Sequence, residues 1–172
     1  MTGHLPSSPM GQVLMEGDFA TLIFERRFQH PIETVWQAIT DPVQLSKWYF
    51  SNGKIEGKLG GKMEFSLGPA HMTGSIVAWD PPKVFEHEWR VDHVDRSGIP
   101  KGDCGVVRWE LNHAGKETIL RLIHRKLPGP GARNFAIGVH VRLDRLETFL
   151  DNRPLPFWKD HVANVQTRYL GQ

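Results

Sequence analysis

The sequence has one cysteine, Cys104, among 172 residues. No internal disulfide can form, which excludes a disulfide-stapled secreted framework and fits a reducing, cytoplasmic compartment. Long apolar runs are missing as well: none approaches the roughly 20 residues needed to span a bilayer. The opening MTGHLPSSPMGQ has neither a basic start nor an apolar core, so no secretory signal is read there. An excess of charge of one sign is also lacking. The formal net charge is +2, and its carriers are spread along the chain, which argues against a nucleic-acid partner. The nine histidines include no His-x-x-x-His pair, and a lone cysteine allows no Cys-x-x-Cys, so no metal is expected. Gly57, Gly60 and Gly61 lack the strand-to-helix setting of a dinucleotide fingerprint, and no cofactor is expected either. Cys104 has no evident base beside it, which argues against a nucleophile.

Alternating apolar residues are abundant. Residues 21–29 read as a first strand, with both faces partly apolar. Pro31 suits the first turn of a helix carrying Ile32, Val35, Trp36 and Ile39 at helical spacing. Asp41-Pro42 ends it, and a second short helix runs to Trp48. Strands are then predicted at 54–57, 61–67, 72–79, 83–91, 106–111 and 118–124, each alternating apolar and polar positions or bounded by turn residues. Asp92-His93-x-Asp95 reads as a turn rather than a metal site, followed by a loop holding Gly98, Pro100, Gly102 and Asp103. After Pro128-Gly129-Pro130-Gly131 the period changes. Ala132–Leu150 reads as a long helix with Phe135, Val139, Leu143, Leu146 and Leu150 on its apolar stripe, and Asp144, Arg145, Glu147 and Thr148 facing away.

Strands with one apolar face must cover it, and only the long helix is large enough. The expected fold is α+β: a curved antiparallel seven-stranded sheet wrapped around a long C-terminal helix, with two short helices after the first strand. Residues 1–17 are expected to be a disordered tail and 18–151 the domain. Residues 152–172 form a C-terminal helical extension whose Trp158, Val162, Val165 and Tyr169 make a second apolar stripe. That stripe is expected to dock on its own domain, with a homodimer contact as the alternative.

Several motifs carry a family resemblance. They are Phe28-x-x-Pro31-x-x-x-Val35-Trp36-x-Ala38-Ile39-Thr40, Asp41-Pro42 ahead of Trp48, Gly60-Gly61-Lys62-Met63-Glu64-Phe65, Gly74 ahead of Asp80-Pro81-Pro82-Lys83, Trp89-Arg90-Val91, and Gly138 with Leu143-Asp144-Arg145-Leu146. Over roughly residues 19–150 the chain resembles the START-like (SRPBCC) helix-grip superfamily typified by the major birch-pollen allergen. Within it, the chain is similar to the activator of heat-shock protein 90 ATPase homologues, in their bacterial single-domain form. The resemblance implies a cavity between sheet and helix. Members usually carry Trp after the helix glycine, whereas this chain has Gly138-Val139, which implies a larger cavity. The eukaryotic co-chaperones of that family carry a further N-terminal chaperone-binding domain for which this chain has no room, which argues against co-chaperone activity.

The expected cavity wall is Met63, Phe65, Ile76, His87, Trp89 and Trp109 from the strands, Leu120 and Leu122 from the last strand, and Phe135, Val139 and Leu143 from the helix. Its expected occupant is an apolar or amphipathic small molecule. His87 shares a face with Phe85 and Trp89, where an imidazole can hold a proton near neutral pH. A core histidine bonded to a backbone carbonyl is the preferred reading, ahead of ligand contact and of catalysis, and His124 is a weaker candidate of the same kind. No other residue suggests catalysis. Two further readings stay open: a polyketide cyclase or aromatase-type enzyme using the same cavity, and a chaperone-interacting or other protein-interaction module. The oligomeric expectation is monomer or homodimer.

Overall fold

A computed structural model describes residues 8–93 and 102–170. Strands β1 (Gln12–Glu16) and β2 (Phe19–Phe28) precede helices α1 (Ile32–Thr40) and α2 (Pro42–Trp48). Six strands follow: β3 (Ser51–Ile55), β4 (Lys62–Leu67), β5 (Ala70–Asp80), β6 (Val84–His93), β7 (Gly102–Ala114) and β8 (Glu117–Pro128). Helices α3 (Ala132–Leu150) and α4 (Trp158–Leu170) complete the chain. All strand pairs are antiparallel, in one sheet of order β1-β2-β8-β7-β6-β5-β4-β3. The sheet grips α3, as the sequence implies, but it has eight strands rather than seven.

The additional strand is β1, within the segment expected to be a tail. It pairs with β2 through a turn at Gly17, whose φ of +64° suits glycine. All its side chains except Val13 are exposed, so an edge strand held by its backbone leaves no apolar alternation to read. Of the turn expected at 92–95, Asp92 and His93 belong to β6, while the rest of it and most of the loop after it lie outside the described residues; Gly102 and Asp103 already belong to β7.

Local chemistry explains the helix starts. Pro31 precedes α1, and Asp41 caps α2 by accepting from the Val43 N–H at 3.0 Å. The apolar face of α1 (Ile32, Val35, Trp36, Ala38 and Ile39) closes one end of the grip. A bulge bends β7 where Glu88 pairs with Val106 but Arg90 with Asp103. Gly105 lies in it at φ +95°, where an added Cβ would be 2.0 Å from the Arg125 carbonyl oxygen. Gly105→Ala is expected to cost about 1–3 kcal/mol, read as a lowered urea midpoint at unchanged slope.

Helix α3 is covered on more than its stripe. Asp144 and Thr148, expected to face away, are 8% and 2% exposed. Asp144 is covered by Arg26 of β2 and by His161 of α4, which docks on α3 in the same chain and buries Val165 and Tyr169. A directed chain of hydrogen bonds fixes this contact. The Gly11 N–H donates to the Tyr169 hydroxyl at 2.9 Å, which leaves that O–H to donate to His140 Nδ1 at 3.0 Å. His140 Nε2 then donates to Ser8 Oγ at 2.8 Å, and Ser8 donates to Asp144 at 2.6 Å. His161 adds a bond to the other Asp144 oxygen at 2.8 Å. Burial pulls the His140 pKa down to about 4, so the neutral imidazole this chain requires is the one present at pH 7.

Candidate ligand cavity

Of three voids on the inner side of the sheet, two lie against α3 and the third lies against α1 and α2. The largest, about 310 Å³, lies at the N-terminal half of α3. Leu67, Met72, Trp89 and Leu127 form its sheet wall, Phe135, Ile137 and Gly138 its helix wall, and Trp158 and Val162 of α4 its cover. A second void of about 20 Å³ lies deeper, against Trp109, Leu122, Val139 and Leu143. A third of about 10 Å³ touches Met63, Phe65 and His87. The Trp89 ring borders all three.

The expected wall is therefore divided. Trp89 and Phe135 reach the large cavity, the other expected residues border the small voids, and Ile76 and Leu120 border none of the three. Both are packed core, 1% and 0% exposed. Val139 faces only the 20 Å³ void, because Tyr49, Trp109 and Leu122 crowd the space a larger residue would take. The open volume lies instead under α4. The Pro128–Gly131 connector and the apolar stripe of residues 158–170 were its sequence signals, but neither showed that α4 folds back over the first turns of α3.

The polar groups around the voids are mostly donors. Trp89 and Trp109 are 4% and 5% exposed, and the Nε1 atom of each is buried without an acceptor. Arg142 borders the 310 and 20 Å³ spaces. Its guanidinium lies between two rings, 5.5 Å from the centre of Tyr49 and 5.2 Å from that of Trp158. Gly138 makes room for it, since a Cβ there would be 2.9 Å from Arg142 Nη1. Burial lowers the Arg142 pKa and raises that of Tyr49 to about 12, so the guanidinium stays charged and the phenol protonated at pH 7.

His87 and His124 are both core histidines bonded to main chain. His87 Nδ1 donates to the Glu88 carbonyl at 2.9 Å, and His124 Nε2 donates to the Cys104 carbonyl at 2.6 Å. A carbonyl only accepts, so each bond fixes its ring's tautomer. Burial brings both pKa values down to about 4, with partial opposition from those carbonyl bonds. At neutral pH both are uncharged and weakly basic. Among the described residues no group of His, Cys, Asp and Glu is placed to hold a metal ion, and no helix is long and apolar enough to cross a membrane.

The family model described as Activator of Hsp90 ATPase homolog 1-like protein matches residues 29–151, more than two thirds of the chain. The chain belongs to this family. No curated protein matches it in sequence. Among solved structures, CalU16 from Micromonospora echinospora is 22% identical, with a TM-score of 0.68 over 94% of this chain and 93% of its own. The conserved protein of unknown function EF2215 from Enterococcus faecalis is 18% identical, with a TM-score of 0.71 over 94% and 88%. DynU16, from the dynemicin biosynthetic locus, is 19% identical, with a TM-score of 0.66, and the match spans 83% of this chain and 51% of DynU16. Identities this low carry the fold, not a ligand. For this family member the helix glycine is Gly138, and it accommodates Arg142.

Proposed function

We propose that this family member binds an apolar or amphipathic small molecule in the space enclosed by Trp89, Phe135, Ile137 and the α4 residues Trp158 and Val162. The 310 Å³ cavity carries this reading. It is at the lower end of the about 300–1,000 Å³ of small-molecule sites, and its lining is mainly apolar with few polar groups. Single-cysteine usage supports a cytoplasmic setting. The test is a fluorescence titration with Nile red, a neutral apolar dye. Saturable binding is expected, and Val162→Trp, which fills the cavity from α4, is expected to weaken it at least about tenfold. Val139→Trp is a poorer filler: beside a 20 Å³ void it overpacks the core, at about 1–3 kcal/mol. Absence of saturable dye binding to the wild-type protein would sink the reading.

A cyclase-type enzyme is the second reading. The observation in its favour is that His87 and His124 flank the Trp89 ring, each 6.1 Å from it between ring centres. DynU16 comes from a biosynthetic locus, which is compatible with it. Against it, imidazoles with pKa values of about 4 are poor general bases at neutral pH. Binding without turnover therefore takes precedence.

A further inference from the structure

Arginine partners provide an internal comparison. Arg26 reaches the Pro9 carbonyl and Asp144, Arg108 reaches Glu86 and Glu110, Arg145 reaches the Trp48 and Pro156 carbonyls, and Arg168 reaches the Ser8 carbonyl. Those are the other buried or half-buried arginines among the described residues. Arg142 is half-buried like them, yet among the described residues it meets only aromatic rings and no oxygen. A ring face contributes about 0.5–2 kcal/mol to a cation and satisfies none of its five N–H groups. No carboxylate borders any of the three voids. Trp89 and Trp109, which line the 20 Å³ void together with Arg142, have buried and unpaired indole N–H groups. A buried donor costs stability unless something accepts from it, so this arrangement favours an occupant that brings oxygen and negative charge.

Resting on the cavity reading, we infer that the occupant is an organic anion, a carboxylate on an apolar or aromatic body. Its body fills the space under α4 and its carboxylate takes the Arg142 guanidinium. The planar fork of arginine matches a carboxylate with two parallel bonds. Trp158, on the same cavity wall, has its ring centre 5.2 Å from the guanidinium. Gly138 is the permissive position, since any side chain there displaces Nη1.

Calorimetric titration with 2-naphthoate and its neutral isostere 2-naphthamide, and with octanoate and octanamide, tests this. The wild-type protein is expected to bind each acid at least about tenfold more tightly than its amide, the usual advantage of a charge-assisted pair. Arg142→Met keeps the aliphatic bulk and is expected to erase that preference. Arg142→Lys keeps the charge without the fork and is expected to retain part of it. Equal binding of acid and amide by the wild-type protein, or binding of Nile red but of neither acid, would overturn the anion assignment and leave the cavity reading standing. A preference that survives in Arg142→Met would move the anion away from Arg142 and overturn the assignment equally. If neither Nile red nor any acid binds, both readings fall together. The wild-type comparison of acid with amide decides the question even if a variant does not fold.

Discussion

Lowering the pH from about 7.5 to about 4.5 is expected to remove about 5 kcal/mol of folding stability through His87 and His124 alone. Both have folded pKa values of about 4, and an unfolded histidine titrates near 6.5. Above pH 6.5 both states are neutral and nothing is lost. Below it the unfolded chain takes up two protons that the folded core refuses, so stability falls with each further unit until the folded rings themselves titrate near 4. At about 1.4 kcal/mol per unit, each ring contributes about 2–3 kcal/mol by pH 4.5. The groups facing them set the sign. His87 feels burial first, then the Glu88 carbonyl and Glu86 in opposition. His124 feels burial first, then the opposing Cys104 carbonyl and the repulsion of His87. His140, also at about 4, adds in the same direction. Urea unfolding followed by tryptophan fluorescence at the two pH values measures the loss. His124→Gln, whose amide can still donate to the Cys104 carbonyl, is expected to reduce the dependence by about 2 kcal/mol. A flat profile between pH 6.5 and 4.5 would show that both rings protonate in place.

The second large effect concerns Asp144. Asp144→Ala is expected to cost about 3–5 kcal/mol, the penalty for leaving a buried charge without its partner. The stranded charge is Arg26, 3% exposed, with Asp144 Oδ1 3.7 Å from its Nη2. Two of its nitrogens, Nε and Nη2, already lack a hydrogen-bond acceptor. The same substitution removes the acceptor of Ser8 and His161, so α4 loses a bond to α3 as well. Asp144→Asn retains one acceptor oxygen, enough for either Ser8 or His161 but not both, and is expected to recover part of the loss. Thermal melts of the two variants decide it. A drop below about 1 kcal/mol for Asp144→Ala would mean that water already reaches the Arg26 guanidinium.

How far the sequence reached depends on how each element is stabilised. β4, β6, β7 and β8 bury one face, so Met63 and Phe65, Phe85, Trp89, Val107, Trp109, Leu120 and Leu122 recur at every second position and were legible. β1 buries almost nothing and is held by backbone pairing, which composition does not encode. The apolar stripe of α3 was legible for the same reason as the strands. Its buried polar face was not, because Asp144, His140 and Thr148 become interior only when α4 and residues 8–11 are laid over them. The cavity follows the same division. Trp89 and Phe135 were found by alternation and helical spacing, but Arg142 reads as an ordinary solvated cation until α4 covers it. What makes it informative is the absence of an oxygen nearby, and only coordinates show an absence of that kind.

The Gly11–Tyr169 hydrogen bond joins groups 158 residues apart. It acts as a noncovalent clasp that turns the chain into a ring. Contacts of such long sequence separation form late in folding, after the loop between them has closed. The clasp, the last turns of α4 and residues 8–11 therefore constitute one opening unit, whose release requires less than global unfolding. Because Trp158 and Val162 of α4 also wall the 310 Å³ space, lifting this unit is expected to widen that space, and amide exchange in α4 reads how often it lifts.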